Sequence, residues 1–280
     1  MTPGETLDVL LLFRDALYGT LIIAAGCAVL GVYIVYRRIV FVAAALAQLS
    51  SAGLALAMFA SGAGVHLGAL NSEVAFSFGA TLVGVVFFAL EGQRHRVPPD
   101  ARLGLAYVVA GAVAVLLIAK TPGGDAHALL LRGNILGITR AEMLLQAGVV
   151  GAVLVIHRLF HKELVFVSFD DEMAATLGYR VRRWNLLLYL TFGAIIAVAI
   201  HSASVLLVFS YLVLPAVTGV LLGRRLAGVF AWSIASSLLA TVLGFAASIP
   251  FDLPTGPAIV AMSGVLAAAA WLFRTLRGAE

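Results

Sequence analysis

Of 280 residues, 62% are hydrophobic and only 11% are charged, with a mean hydropathy of +1.07. A water-soluble domain carries roughly a quarter charged residues and could not hide this much apolar surface, which excludes that class and leaves an all-α, polytopic membrane bundle. The net charge of +4 is no nucleic-acid signature, because the basic residues fall in short gaps between apolar runs; the single Cys27 excludes a disulfide framework within the chain and a cysteine-based metal site.

A helix needs about 20 mostly apolar residues to cross the hydrocarbon core. By that measure the chain divides into nine spans, at about 16–36, 40–60, 74–90, 103–119, 141–159, 184–200, 204–222, 227–249 and 256–273. The first has no basic leader and reads as a full-length span rather than a cleavable signal. The long run 184–222 contains one polar break, His201-Ser-Ala-Ser204, and is read as two helices. The stretch 128–137 is Leu-rich but interrupted by Arg132, Gly133 and Asn134, as expected of a short re-entrant or interfacial piece. Three further gaps, 61–72, 121–127 and 249–257, are rich in Gly and Pro and read as tight turns.

The basic residues give an orientation. Arg37, Arg38, Arg94, Arg96, Arg102, Arg158, Lys162, Arg180, Arg182, Arg183, Arg224, Arg225, Arg274 and Arg277 fall on one side of the nine-span map. Only Arg14, Lys120, Arg132 and Arg140 fall on the other. The positive-inside rule makes the first side cytoplasmic, with the amino terminus outside and the carboxyl terminus inside the cell inner (plasma) membrane. With no internal repeat and no linker, residues 1–280 are expected to form a single transmembrane domain.

Within this frame the stretch 168–178, Ser-Phe-Asp-Asp-Glu-Met-Ala-Ala-Thr-Leu-Gly, is a polar island. Asp170, Asp171 and Glu172 favour a helix amino terminus through capping and the macrodipole. Gly178 is a natural helix stop. The expected product is a short helix on the cytoplasmic face, serving either as a solvated connector or as a grip for another protein. The chain has no ATP-binding loop of its own: neither Lys120 nor Lys162 closes a Gly-x-x-x-x-Gly-Lys-Ser/Thr sequence.

Other polar residues have two readings each. Gln48, Ser50 and Ser51 form a polar patch on an apolar helix, as interhelical glue or as part of a translocation pathway. His201 would cap a turn between spans on the outer side, structurally or as a gate. His157 and His161, four apart, would share a helix face and either line the interface or hold a metal. His66, Asp125 and His127 are ordinary loop polarity or an outer capture point. Glu73 and Glu91 read as boundary residues. Pro215 bends a span, and Gly219 and Gly223 offer a close-packing face to a helix of this subunit or of a dimer mate.

Several of these pieces resemble one family. The island is followed, after some two dozen apolar residues, by Val205-Leu-Leu-Val-Phe-Ser-Tyr-Leu-Val-Leu-Pro-Ala216. Gly31-Val-Tyr-Ile-Val-Tyr-Arg-Arg38 closes the first span, and Gly133-Asn-Ile-Leu-Gly137 and Asp252-Leu-Pro-Thr-Gly256 follow in order. Over nearly its whole length the chain is similar to the zinc/manganese/iron-type ABC transporter permeases. The resemblance implies a homodimer in the lipid membrane, a cytoplasmic ABC ATPase that binds the ATP, and an extracytoplasmic solute-binding protein that delivers a divalent metal. It implies no cofactor and no covalent chemistry in this chain. The island would be the coupling helix, with Asp170, Asp171 and Glu172 opening it and Glu172, Ala174, Ala175 and Gly178 fitting the ATPase cleft.

One departure matters. After the Arg-Arg pair such permeases carry an Asp and, four residues on, a His, which share one helix face and can reach one ion. Here the stretch is Ala43-Ala-Ala-Leu-Ala-Gln48, with Ala44 at the Asp position and Gln48 at the His position. Either the ion passes on other ligands, so that the metal site is unknown, or the cargo is a metal chelate or another small solute. An ion-driven secondary transporter would want carboxylates near the midplane, which are missing. A non-transporting assembly factor would leave the acidic island unexplained.

Overall fold

The computed structural model describes residues 13–63, 73–90, 98–121 and 135–277. Among these residues there are eleven α-helices and one 3-10 turn: α1 (Arg14–Tyr36), α2 (Val40–Gly62), α3 (Glu73–Leu90), α4 (Pro99–Lys120), the turn Ile135–Gly137, α5 (Arg140–Leu159), α6 (His161–Phe169), α7 (Asp171–Thr176), α8 (Val181–Ser202), α9 (Val205–Leu222), α10 (Leu226–Ser248) and α11 (Thr255–Arg277). Eight of them are long and apolar enough to cross a membrane. The remaining expected span, α3, is an apolar helix of 18 residues, as long as α9.

Local chemistry sets the boundaries. Pro99 sits at the first helical position of α4, where its missing amide costs nothing. Ahead of α5, Thr139 and Glu142 form a reciprocal capping box: the Thr139 amide donates to Glu142 Oε2 at 2.7 Å, and the Glu142 amide donates to Thr139 Oγ1 at 3.3 Å. Ser204 separates α8 from α9 by accepting the Leu207 amide at 3.3 Å. Pro215 lies inside α9 without ending it. Between α10 and α11 the backbone turns at Asp252, with φ 49.

The contacts divide the chain into two units. The first holds residues 1–38, 134–151 and 202–280; the second holds 39–133 and 152–201. Helix α5 has residues in both.

In the first unit α1 packs on α9 and α10, and α9 packs on α10 and α11. Lipid supplies no hydrophobic drive for such pairing, so small residues and interhelical hydrogen bonds carry it. A Cβ on Gly31 would strike the Leu212 carbonyl, and one on Gly244 would reach within 2.9 Å of Ile259. Gly219 meets the Val229 carbonyl and Ser233 of α10. Of the two partners open to the Gly219/Gly223 face, the same subunit takes it. Ser233 and Ser237 donate to the carbonyls of Ala28 and Ala24 at 2.9 and 3.0 Å. Tyr211 Oη and Thr241 Oγ1 are 2.8 Å apart, both buried.

In the second unit α2 packs on α3 and α4. Gly53 lies against the Phe76 carbonyl, and Ser77 donates to the Ser50 carbonyl at 3.0 Å. Ala55, Ala114 and Ile118 form a buried cluster. Large apolar side chains lie outside, with Leu116 66% and Leu159 70% exposed. Water would penalise such surfaces; acyl chains accept them, while the helical backbones satisfy their own hydrogen bonds.

Some expectations need correction. His157 and His161 do not lie on one helix, because the chain breaks at Phe160 between α5 and α6. His201 does not cap a turn: it lies within the last turn of α8. Ser168 and Phe169 end α6, so the island helix itself is shorter than 168–178. His66, Glu91, Asp125, His127, Arg132, Gly133 and Asn134 lie outside the described residues.

Candidate functional site

The island folds as a helix defined at both ends. Asp170 has an extended backbone, and its carboxylate accepts the Met173 amide at 2.8 Å. Asp171 and Glu172 occupy the first turn, where negative charge faces the exposed amides. At the other end Gly178 takes φ +86. The Tyr179 amide donates to the Ala174 carbonyl at 3.0 Å, and the Gly178 amide donates to that of Ala175 at 3.1 Å. These are the two bonds of a Schellman stop, which glycine makes without steric cost.

Ala174 is fully buried and seats the helix on its own chain. Asp170, Asp171, Glu172, Ala175 and Gly178 are exposed. So are two large apolar side chains, Met173 at 54% and Leu177 at 62%. The Tyr179 ring packs on Phe166 of α6 with centroids 5.5 Å apart, which holds the helix against the segment before it. Beyond the stop, a cavity of about 630 Å³ is lined by Phe160, Leu177, Tyr179, Arg180, Arg183 and Trp184, among others. The site thus presents an acidic rim with apolar side chains, followed by exposed guanidiniums. Such a surface suits a protein partner.

The four pathway candidates lie on α2 and α8. Gln48 is half-buried, and its amide packs over Gly111 of α4, 3.6 Å from where a Cβ on that glycine would stand. Ser50 is fully buried and gives its carbonyl to Ser77, while Ser51 is nearly so. His201 lies with its Nδ1 3.8 Å from Glu73 Oε2. Glu73 was not singled out by sequence reasoning for more than a boundary place. The signal that could have found it is periodic: Glu73, Ser77 and Thr81 recur every four residues on α3, and Gly193, Ala197 and His201 do so on α8. A Cβ on Gly193 would stand 3.2 Å from Thr81, which sets these two faces against each other.

His157 is buried and pairs its Nε2 with Thr191 Oγ1 at 2.9 Å. Among the described residues no three of His, Cys, Asp and Glu gather as a resident metal centre.

The sequence model of the ABC 3 transport family matches residues 10–274. The manganese transport system membrane protein MntC of Halalkalibacterium halodurans is 26% identical over 95% of this chain and 88% of its own length. The manganese transport system membrane protein MntB of Synechocystis is 30% identical over 88% of this chain and 77% of its own. Among solved structures, PsaBC from Streptococcus pneumoniae in complex with Fab superposes with a TM-score of 0.83 at 22% identity, covering 96% of this chain and 95% of that one. That likeness establishes the fold.

Proposed function

As a member of the ABC 3 transport family, the chain is a multi-pass membrane permease subunit that is not itself catalytic, and we propose that it forms the pathway by which an ATP-driven importer takes up a divalent metal ion: manganese, zinc or iron. The observation that carries this reading is the family match over residues 10–274. The manganese transport relatives supply the cargo class.

A permease of this kind implies an ATPase and a binding protein as partners. Two copies of this chain form the pore, with residues 1–280 of each acting as one transmembrane domain. The amino terminus is outside and the carboxyl terminus cytoplasmic, and all nine apolar helices span. Fourteen of the eighteen Lys and Arg residues on one side of that map support this orientation. The helix 171–176 enters the ATPase cleft with Glu172, Ala175 and Gly178 at its contact face and Ala174 as its seat. What supports this role is the double capping of so short a helix and the exposed Met173 and Leu177 beside its acids. ATP binding closes the motor dimer, the helix follows, and the pore alternates between outward and inward access. Gln48, Ser50, Ser51 and His201 stand as pathway residues.

Ala44 and Gln48 favour a second reading, in which the cargo is a metal chelate or another small solute: neither offers the carboxylate or the imidazole that a bare ion would use. Uptake of radiolabelled manganese, zinc and iron into vesicles holding the permease, its ATPase and its binding protein separates the two. ATP-dependent uptake of a free ion supports the first. ATP hydrolysis stimulated by the loaded binding protein with no uptake of any free ion overturns it in favour of the second.

A further inference from the structure

The chain lacks the Asp and His that would meet an ion on α2, yet the second unit brings one carboxylate and one imidazole together elsewhere. Glu73 opens α3, His201 closes α8, and Nδ1 lies 3.8 Å from Oε2 although 128 positions separate the residues. We propose that Glu73 and His201 form a transit site for a divalent metal ion, standing in for the pair absent at positions 44 and 48. This rests on the permease reading above and adds the contact that reading leaves unassigned.

Three observations carry it. The first is distance: two ligands with bonds of about 2.1 Å stand about 3.4 Å apart on a tetrahedral ion and about 3 Å apart on an octahedral one. The observed separation needs a closure of about 0.4–0.8 Å. The second is setting. The His201 side chain is 19% exposed and that of Glu73 40%, so an ion can enter without the helices separating. Below the pair on α3 the Ser77 and Thr81 hydroxyls are taken up by the Ser50 and Ser77 carbonyls, and Thr81 turns its methyl group toward Gly193 of α8, so the contact with an ion rests on Glu73 and His201 themselves.

The third is ligand number. Among the described residues no third His, Cys, Asp or Glu joins the pair. Structural zinc centres use four protein ligands and hold their ion; a site in a pathway must also let it go. One carboxylate and one imidazole are a donor set that manganese, zinc and iron all accept.

The test uses the purified full-length permease, without partners, titrated with manganese while the free aqueous ion is followed by electron paramagnetic resonance. The expected result is about one Mn²⁺ per chain, bound about tenfold or more weakly by Glu73→Gln and by His201→Gln. The double variant should be little worse than either single one, because both remove the same site. Glu73→Asp, which keeps a carboxylate, should retain binding, and Glu163→Gln should leave it unchanged. Equal binding by wild type and both single variants, or no binding by wild type, overturns the proposal. Reconstituted uptake separates the two claims. Binding that needs both residues in a transporter that takes up no manganese supports the site and counts against the cargo. Manganese uptake that survives both variants supports the cargo and overturns the site.

Discussion

The Asp170 carboxylate accepts the Met173 backbone amide at 2.8 Å, which starts helix α7 at a fixed residue. A six-residue helix has too few internal hydrogen bonds to hold itself, so its caps decide whether it forms. Asp170→Ala should cost it about 1 kcal/mol, and Asp170→Ser should restore most of that. Amide hydrogen exchange across 171–178 reads the difference as a rate increase of about fivefold in the alanine variant.

The other end depends on Gly178. At φ +86 any side chain is strained, although nothing lies within 4 Å of the position. Gly178→Ala should therefore destabilise the stop by about 1–2 kcal/mol through backbone conformation alone, and Gly178→Asn by less. Exchange at Tyr179, whose amide makes the Schellman bond to Ala174, measures it.

Glycines in the spans should divide by what faces them. Gly31→Ala would drive a methyl into the Leu212 carbonyl, and Gly244→Ala would press on Ile259. Each should lower stability by about 1–3 kcal/mol. Gly264→Ala meets nothing within 4 Å and should leave stability unchanged or raise it by up to about 1 kcal/mol. Thermal unfolding in detergent ranks the three.

Tyr211 and Thr241 join α9 to α10 by one buried hydrogen bond of 2.8 Å. Thr241 also donates to the Ser237 carbonyl, so Tyr211→Phe leaves it with an acceptor. A double-mutant cycle of Tyr211→Phe and Thr241→Val should give a coupling of about 0.6 kcal/mol, the usual worth of such bonds in membrane bundles.

The parts legible in the sequence were those written locally. Apolar length marked the spans, and Asp170 and Gly178 marked the ends of the island helix because capping acts over three or four residues. The break at Phe160 was missed because no Gly or Pro announces it, and so two histidines spaced by four were placed on one helix. The Glu73–His201 pair was missed for a different reason. Its members are far apart in the chain, and a carboxylate at a helix start has a sufficient local role there. The Ser233 and Ser237 bonds to α1 carbonyls are equally invisible, since any span serine can satisfy itself on its own helix.

The central claim is that helix α7 couples a partner's ATP hydrolysis to transport, and Glu172 tests it most directly. Its side chain lies on the exposed first turn, so Glu172→Arg reverses a contact charge without disturbing a core. Metal uptake and ATP hydrolysis should be measured together in vesicles holding the permease, its ATPase and its binding protein. The account predicts that uptake falls by about tenfold or more while hydrolysis continues. Unchanged uptake per ATP hydrolysed in the Glu172→Arg variant would contradict it.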